Sequence, residues 1–417
     1  MQNKLRYLNI SIFLQTQLYM VPFLLLFYQQ NGLTVGDFFL FQGIFSLSAI
    51  LFDIPSGYLA DIFPKRNILV LSYLFYIARL ILWLFFAQYG FWIFLLAEIM
   101  FAAHKATWAG CADSYIYEYL KFNSIPQKMK RRYGKMNFFM ALGTAFSSLI
   151  GAWIYTMVSE YTLQKYNYNY GFMVLISLEL ILNVAAIILL FGLPKIPQPI
   201  HPKTTIKKAY IDLFKTVIWT MKNQNIKYHI LYSGLLTATT SVFVWSFQPI
   251  MKLLVFPVAL YGVVYFINHA FRALGSLYSD KINQIITLPK MAISVFVGFI
   301  TCFILTFIIL NVSTVPVSVS LLYFIFISFV IGGQLAFRIL HDCRLHTFIP
   351  SEMRATSSSV STMVGRLYSG FFFILMKILL DGVSIQKSLA VCLIIFIVAS
   401  LPLKKLCFIP KKDGKRV

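Results

Sequence analysis

Charged side chains are scarce in this chain, at 12% of its 417 residues, whereas a soluble domain carries about 25%. Hydrophobic residues make up 59% of the chain, and the mean hydropathy is +0.76. So much apolar sequence exceeds what one soluble core can bury, and lipid is the solvent that accepts the remainder. The composition therefore excludes an ordinary soluble protein and predicts an integral membrane protein.

Acidic residues are scarcer than basic ones, with 14 against 36 and a formal net charge of +22. Such an excess is also found in proteins that bind nucleic acid. Here the basic residues lie between apolar runs and do not gather on one amphipathic face. We therefore predict no nucleic-acid partner and expect anionic lipid headgroups to meet these charges.

Motifs for metal binding and catalysis are missing as well. The five cysteines show no paired spacing and no C-x-x-C, which argues against disulfides and metal clips. Ligand-type side chains gather at His341, Asp342, Cys343 and His346, but adjacent helical positions point apart, so we predict no metal site. No H-E-x-x-H, P-loop or paired carboxylates occur, which leaves a polytopic membrane enzyme as the less favoured class.

What the sequence does contain is a series of apolar runs of about 20 residues, the helical length that crosses the hydrocarbon core. The runs are continuously apolar, whereas the strands of a membrane barrel alternate. We therefore predict an all-α integral membrane protein with twelve transmembrane helices. The predicted spans are residues 6–28, 37–60, 67–87, 91–115, 136–157, 170–193, 228–249, 257–278, 290–310, 318–341, 357–380 and 386–403.

Loops rich in basic residues alternate with loops that have almost none. The poor loops hold only Lys165, Lys252 and Lys387. Because cytoplasmic loops are enriched in Lys and Arg, we predict a multi-pass protein of the inner (cytoplasmic) membrane with both termini in the cytoplasm. The basic segments on that side are 65–66, 121–135, 195–227, 281–290, 344–354 and the two chain ends.

The longest loop, 194–227, divides the chain into two predicted six-helix bundles, 1–193 and 228–417. An internal repeat supports this division, since I-P-Q-K-M-K at 125–130 recurs as I-P-S-E-M-R at 349–354. Two parallel six-helix repeats around a midplane site are typical of one transporter architecture.

The linker begins with prolines and then becomes amphipathic. This pattern predicts a helix that lies along the lipid headgroups, with a merely solvated linker as the alternative. Its predicted apolar face consists of Ile206, Tyr210, Leu213, Phe214, Val217 and Met221.

Residues 53–66 read D-I-P-S-G-Y-L-A-D-I-F-P-K-R. This segment resembles the loop 2–3 signature of the major facilitator superfamily, G-x-L-A-D-[RK]-x-G-[RK]-[RK], preceded by the acidic-x-P-[ST]-G variant of bacterial efflux-type members. Gly57, Asp61, Lys65 and Arg66 match, whereas isoleucine and proline replace a basic residue and a glycine of the signature. The resemblance implies two pseudo-symmetric six-helix bundles and a secondary transporter that uses a proton gradient and no cofactor.

In that family the signature aspartate, here Asp61, holds the two halves together near the start of helix 11. Asp280 occupies the matching place 219 residues later, after the eighth predicted helix. Residues 143–152, G-T-A-F-S-S-L-I-G-A, resemble the antiporter motif of helix 5. Small-residue helix packing is the alternative interpretation of this last segment.

Glu98 and the run 110–120 resemble the fourth-helix pattern of the same bacterial group. We assign Glu98, Asp113 and Glu118 to proton coupling on this basis. Lys105 follows Glu98 by seven residues, which places the two side chains on one helical face. We predict that they pair, and the pair either satisfies itself or exchanges a proton or a substrate anion.

Ionisable residues inside the predicted spans are functional hypotheses, because a charge at the bilayer centre costs at least about 2.5 kcal/mol. Near helix ends, Lys377 and Arg79 can extend their side chains to the interface. An offset of 219 residues relates Asp53 to Arg272, and we predict that this pair closes the cytoplasmic gate. The complete set is Asp53, Glu98, Asp113, Glu179, Arg79, Lys105, Arg272, Arg338, Arg366 and Lys377.

The central intramembrane charges are mainly basic, which favours an anionic or carboxylate-bearing solute such as an organic acid or a carboxylate-type siderophore. We assign Arg366 to substrate anchoring, because arginine holds a carboxylate bidentately, and Lys105 to charge compensation. Arg338 guides the solute, and Gln15 and Trp245 complete the predicted substrate-binding set.

Two alternatives stay open at this point. A multidrug or metabolite efflux antiporter is the second candidate function. The second interpretation of the buried charges is that they neutralise one another and only support folding. We expect a monomer whose partners are a small-molecule substrate and membrane lipids.

Overall fold

The computed structural model describes residues 4–122, 129–194, 196, 206–349 and 354–401. These residues form fifteen α-helices and no strand. The helices are α1 (Lys4–Gln15), α2 (Leu24–Gln30), α3 (Val35–Ile62), α4 (Lys65–Phe86), α5 (Phe91–Phe122), α6 (Met129–Tyr166), α7 (Gly171–Phe191), α8 (Ile206–Lys222), α9 (Gln224–Leu253), α10 (Tyr261–Leu277), α11 (Ser279–Ile285), α12 (Leu288–Leu310), α13 (Val317–Phe348), α14 (Arg354–Leu380) and α15 (Ile385–Ser400).

Eight helices of the described chain are long and apolar enough to cross a membrane, namely α3, α4, α6, α7, α9, α12, α13 and α14. The other four predicted spans coincide with α1 and α2 together, α5, α10 and α15. Helices α10 and α15 have 17 and 16 residues, fewer than the about 20 of a typical span. The prediction of an all-helical membrane protein is confirmed. The predicted number of twelve transmembrane helices is confirmed only in part, since eight of them meet this criterion among the described residues.

The first predicted span is broken between Gln15 and Val21. Helix α1 ends at Gln15, and a 3-10 turn at Val21–Phe23 leads into α2. Pro22 lies in this turn, and proline both lacks an N–H and crowds the carbonyl group four residues earlier. The prediction of one continuous helix over 6–28 is therefore wrong at this point.

Side chains of other helices complete the hydrogen bonds of this break. The Leu18 N–H donates to Oγ of Ser147 at 3.1 Å, and the Met20 N–H donates to Oε1 of Glu179 at 2.8 Å. Inside a membrane no water is present to bind such groups, so an open backbone persists only where protein atoms satisfy it. Helices α6 and α7 thus fix the shape of the first span.

Two helix pairs pack across the linker boundary, α3 against α14 and α6 against α10. Both contacts use small residues, which allow the helix backbones to approach closely. A side chain on Gly262 of α10 would collide with the backbone of Ser148 on α6, and one on Gly43 of α3 would meet Ile374 of α14 at 3.1 Å.

We call the side of the bundle where α8 lies the linker side, and the side of the turns at Gly32 and Gly382 the opposite side. Side chains of the two predicted halves meet on the opposite side. Gln248 of α9 accepts from the Leu25 N–H at 2.6 Å and donates to the Val21 carbonyl at 2.9 Å. The contact groups, which we call the opposite-side seal, are Val21, Phe23, Leu25, Gln29, Phe38, Trp245, Gln248, Lys252 and Tyr261.

Helix α8 packs against α3, α9 and α14, so it is not a free linker. Val217 and Met221 of the predicted apolar face contact a buried cluster of the second half. Phe214 is 67% exposed, and Ile211 and Ile218 are also exposed. The apolar residues of α8 are therefore divided between a protein contact and an outward face. The side chains of Ile206, Tyr210 and Leu213, and most of both repeat segments, lie outside the described residues.

Adjacent glycines on α13 test this packing. A Cβ on Gly332 would lie 2.5 Å from the carbonyl oxygen of Phe271 on α10, whereas a Cβ on Gly333 meets nothing within 4 Å. We expect Gly332→Ala to lower the Tm, because overpacking costs about 1–3 kcal/mol. Gly333→Ala should keep or raise the Tm, since alanine favours a helix by about 1 kcal/mol. Thermal unfolding of both variants in detergent measures the difference, and equal Tm values would contradict the packing.

Candidate functional site

A buried ion pair joins α4 and α5. Nη2 of Arg79 lies 2.8 Å from Oε1 of Glu98, and these side chains are 6% and 1% exposed. The Tyr28 hydroxyl donates to the same carboxylate oxygen at 2.8 Å. The guanidinium is stacked between Trp83 and Phe101, with 3.9 Å from its carbon to each ring centroid. Arg79 is thus held by a carboxylate and two aromatic faces at once.

This pair corrects two predictions. Glu98 is bound by Arg79 and not by Lys105, since Arg79 comes from the neighbouring helix while Lys105 lies seven residues, about 10 Å, along the same helix axis. Arg79 does not extend to the interface either, because its guanidinium is satisfied inside the bundle.

Lys105 itself has no carboxylate within 4.0 Å among the described residues. Its side chain is half-buried, and its Nζ lies 5.2 Å from the centroid of the Phe101 ring. An ammonium group in this position retains donors that a ligand anion can use.

Gln15 is engaged with a histidine. Its amide nitrogen lies 2.9 Å from Nε2 of His104, and Nδ1 of His104 lies 2.9 Å from Oγ of Ser72. All three side chains are buried. The predicted role of Gln15 in substrate binding would therefore require that it leave His104.

Glu179 on α7 is a second buried acid of the first half, and no specific role was predicted for it from the sequence. Its side chain is 1% exposed. Oε2 accepts from the Tyr76 hydroxyl at 2.7 Å, and Oε1 accepts from the Met20 N–H at 2.8 Å. No cation lies within 4.0 Å of it in the described chain. A lone glutamate in an apolar run was the signal available in the sequence.

An ion pair between Asp53 of α3 and Arg366 of α14 connects the two predicted halves. The predicted partner of Asp53 was Arg272, and in this structure that pair is not formed, because α3 packs on α14 while α10 packs on α6 and α13. One turn after Asp53, Oγ of Ser56 donates to the carbonyl of Ala106 at 3.3 Å. This contact places the Asp53 ion pair near the turn of α5 that carries Lys105.

In the second half, α10 and α13 carry the remaining central cations. Arg338 forms an exposed ion pair with Asp342 on the same helix, at 3.7 Å. Arg272 is half-buried, and no described carboxylate lies within 4.0 Å of it. His341 binds His229 of α9 at 2.8 Å between ring nitrogens, a contact between residues 112 apart that was not predicted from the sequence.

The signature residues lie at the linker side. Lys65 forms an ion pair with Glu118 at 2.6 Å, so Glu118 has a cation partner within its own half. Arg66 donates to the carbonyl of Leu193 at 3.3 Å. Gly57 has open space around its Cα, and Asp280 is exposed. The side chains of Asp61 and Asp113 lie outside the described residues.

Two further predicted residues lie toward the opposite side. Trp245 packs edge-on against Phe38 with 5.7 Å between ring centroids, and so belongs to the opposite-side seal. Lys377 lies near the end of α14 and pairs with Asp37 at 3.3 Å and Asp381 at 2.8 Å. Among the residues described, no group of three His, Cys, Asp or Glu side chains could hold a metal ion.

A family model described as the Major Facilitator Superfamily matches residues 8–373. No curated protein matches the sequence. Among solved structures, the nucleoside transporter NupG superposes with a TM-score of 0.75 at 13% identity, over 98% of this chain and 100% of that chain. A D-xylose-proton symporter gives a TM-score of 0.71 at 14% identity, over 99% of both chains.

A bacterial homolog of the human lysosomal transporter Spinster, inward-facing and unoccupied, gives a TM-score of 0.70 at 13% identity, over 96% of this chain and 95% of that chain. At these identities the structural likeness shows the fold, while the family model spans most of the sequence. The chain therefore belongs to the major facilitator superfamily and is a transporter, not an enzyme.

Proposed function

We propose that this chain is a secondary active transporter that moves a small anionic, carboxylate-bearing solute by alternating access, coupled to protons. The observation that carries the proposal concerns two cations inside the bundle that have no carboxylate partner in the part of the chain that the structure describes. Lys105 on α5 and Arg272 on α10 are half-buried and have no carboxylate partner among the described residues.

An unpaired cation is costly in a membrane, and such residues mark the paths of substrates and ions. A solute carboxylate would compensate both charges when it binds. One of the two cations lies in each predicted half, and substrate sites of repeat-built transporters lie between the halves. This distribution supports a solute anion that is bound by one cation from each predicted half.

Arg366 takes a different role from the one first assigned to it. Its guanidinium is engaged by Asp53 across the two predicted halves, so it is not free to anchor a carboxylate in this conformation. We propose that this pair is a lock between the halves that breaks and re-forms during transport. Lys105 and Arg272 then become the proposed substrate-binding pair.

The arrangement of the halves supports alternating access. The opposite-side seal closes one face of the bundle through hydrogen bonds and aromatic contacts. A rocking mechanism requires that these contacts separate when the solute enters or leaves on that face. One of the structures with the same fold is a D-xylose-proton symporter, so the fold accommodates coupling to protons in that protein.

We also propose the membrane arrangement that follows from the basic loops. The bundles 1–193 and 228–417 would be joined by 194–227, with both termini in the cytoplasm of an inner membrane and with a monomer as the unit. Helix α8 contacts α3, α9 and α14. It packs against Val360 and Val364 of α14, close to Arg366, which pairs with Asp53 in the part of α3 that leads to Lys65 and Arg66. The linker thus lies on the side where basic residues concentrate, as a cytoplasmic face requires.

The substrate proposal is tested by ligand-induced changes in Tm. Citrate, succinate, D-xylose, uridine and tetraphenylphosphonium form a panel sorted by charge, and we expect only carboxylates to raise the Tm. Lys105→Gln and Arg272→Gln should weaken that binding about tenfold or more, because a hydrogen bond to a charged group contributes about 1.5–3 kcal/mol. Uptake of the stabilising carboxylate into proteoliposomes then measures transport.

Lys165→Gln is the matched control, since it removes an exposed lysine near the end of α6 and should leave affinity unchanged. Wild-type affinity in both central variants would refute the site. A rise in Tm with tetraphenylphosphonium alone would instead favour the efflux antiporter.

The lock is tested by exchanging its charges. Asp53→Asn and Arg366→Gln should each lower the Tm and impair transport, because each leaves a partner without its counter-charge. The exchange Asp53→Arg with Arg366→Asp should recover part of both losses, since coupled sites deviate from additivity. Asp381→Asn removes an exposed carboxylate and should have little effect. Losses in the exchange variant that equal the sum of the single losses would show that no coupling exists.

The orientation is tested by labelling cysteines in intact cells with a membrane-impermeant maleimide. Gly382 has free space around it and no positive φ, so Gly382→Cys should be tolerated and should label from outside. The native Cys343 is exposed near the linker side and should label only after the membrane is permeabilised. The reverse pattern would place the termini outside.

A further inference from the structure

We propose that Glu179 is the group that binds the coupling proton, and that its ionised form holds the break in the first span in place. The inference rests on the proton-coupled transport proposed above and names the residue responsible. It assigns proton binding to a glutamate other than Glu98 and Glu118, which both have cation partners.

Around α4, the described part of the first half places two buried acids, Glu98 and Glu179, near one buried cation, Arg79. Arg79 is the cation nearest to the two buried acids Glu98 and Glu179, and it forms its ion pair with Glu98 at 2.8 Å. Glu179 is equally buried, and the donors that bind it among the described residues are neutral: the Tyr76 hydroxyl and the backbone N–H groups of Met20 and Tyr19. A buried carboxylate without a cation is strongly disfavoured unless it takes up a proton. Glu179 is therefore the acid of this network that can exchange a proton without breaking an ion pair.

Among the described residues, the titratable side chains that interact with Glu179 come from α4 and from the break in the first span. Helix α4 presents Tyr76 and, one turn further on, Arg79, while the break presents Tyr19. Helix α6 meets the break through Oγ of Ser147, a group that carries no charge. The single cation among them is already bound to Glu98.

The position of Glu179 connects its charge to the shape of the first span. The Met20 N–H lies where no helical acceptor is present, and Oε1 of Glu179 satisfies it at 2.8 Å. A hydrogen bond to an ionised carboxylate is roughly twice as strong as one between neutral groups. Protonation of Glu179 therefore weakens the contact that fixes the break.

The next residues after the break contact the other half. The Val21 carbonyl and the Leu25 N–H both bind Gln248 of α9, at the centre of the opposite-side seal. Ionised Glu179 thus holds the segment in the position that closes the opposite side. Protonated Glu179 releases that segment and favours separation of the seal, so a proton taken up there accompanies opening of the opposite side.

Pulsed electron paramagnetic resonance in nanodiscs, without any solute, measures this opening. Spin labels at Gln30→Cys and Leu253→Cys flank the Gln29–Lys252 contact of the seal, and both positions are exposed. The background carries Cys343→Ser and Cys407→Ser. We expect the distance between labels to lengthen as the pH falls through one transition.

Four variants assign the transition. Glu179→Gln should abolish it, because glutamine cannot titrate, whereas Glu179→Asp should retain it. Tyr76→Phe removes a donor that stabilises the ionised form, so it should move the midpoint up by about one to two pH units. Glu160→Gln, a change at an exposed glutamate of α6, should keep the wild-type midpoint.

An unchanged transition in Glu179→Gln, or no transition in the wild type, overturns the proposal. If Glu179→Gln does not fold, an unshifted midpoint in Tyr76→Phe overturns it instead. Because no solute is present, the outcome is independent of substrate binding. A Glu179-dependent transition together with no carboxylate binding would refute the substrate class and leave this inference standing.

Discussion

The hydrocarbon core of a membrane supplies no hydrogen-bond partners, and the polar interior of this transporter follows from that constraint. The break in the first span exposes backbone donors, and Glu179 and Ser147 accept from them. The Met20 N–H of the break in turn gives Oε1 of Glu179 a hydrogen-bond donor. A break in one helix and an acid in another thus stabilise each other, and removal of the Glu179 carboxylate would leave the Met20 N–H without its acceptor.

The structure contains two kinds of buried ion pair. Arg79 and Glu98 lie within one predicted half, and aromatic rings cover the guanidinium on both faces. Breaking such a pair costs about 3–5 kcal/mol, so it suits a fixed element of the bundle. Asp53 and Arg366 connect different halves and are partly accessible. Water can replace the partner of each when the halves separate, which makes this pair suitable for a contact that is renewed in every cycle.

The class of the fold was predictable, because a continuous apolar run of sufficient length allows only a helix in lipid. The start of α3 was also within reach, since Thr34 and Asp37 form a capping box whose spacing is visible in the sequence. The partners of the buried charges were not, because Asp53 and Arg366 are 313 residues apart and pairing depends on which helices pack. The break at residues 16–20 had two local signals, the polar run Gln15, Thr16 and Gln17 and the proline at position 22, but neither is strong enough to interrupt a predicted span of this length.

The glycine contacts between helices have a consequence for how this chain can be related to distant homologues. Gly262 faces the backbone of Ser148, and Gly275 faces that of Gly332, with no room for a methyl group in either contact. Side chains that face lipid can change freely as long as they stay apolar, which accounts for identities of about 13% with structures of the same fold. The residues at close helix–helix contacts cannot change in this way, because a larger side chain would collide with the facing backbone. Pairs of small residues at these spacings are therefore better anchors for aligning diverged sequences than the apolar runs that first reveal the fold.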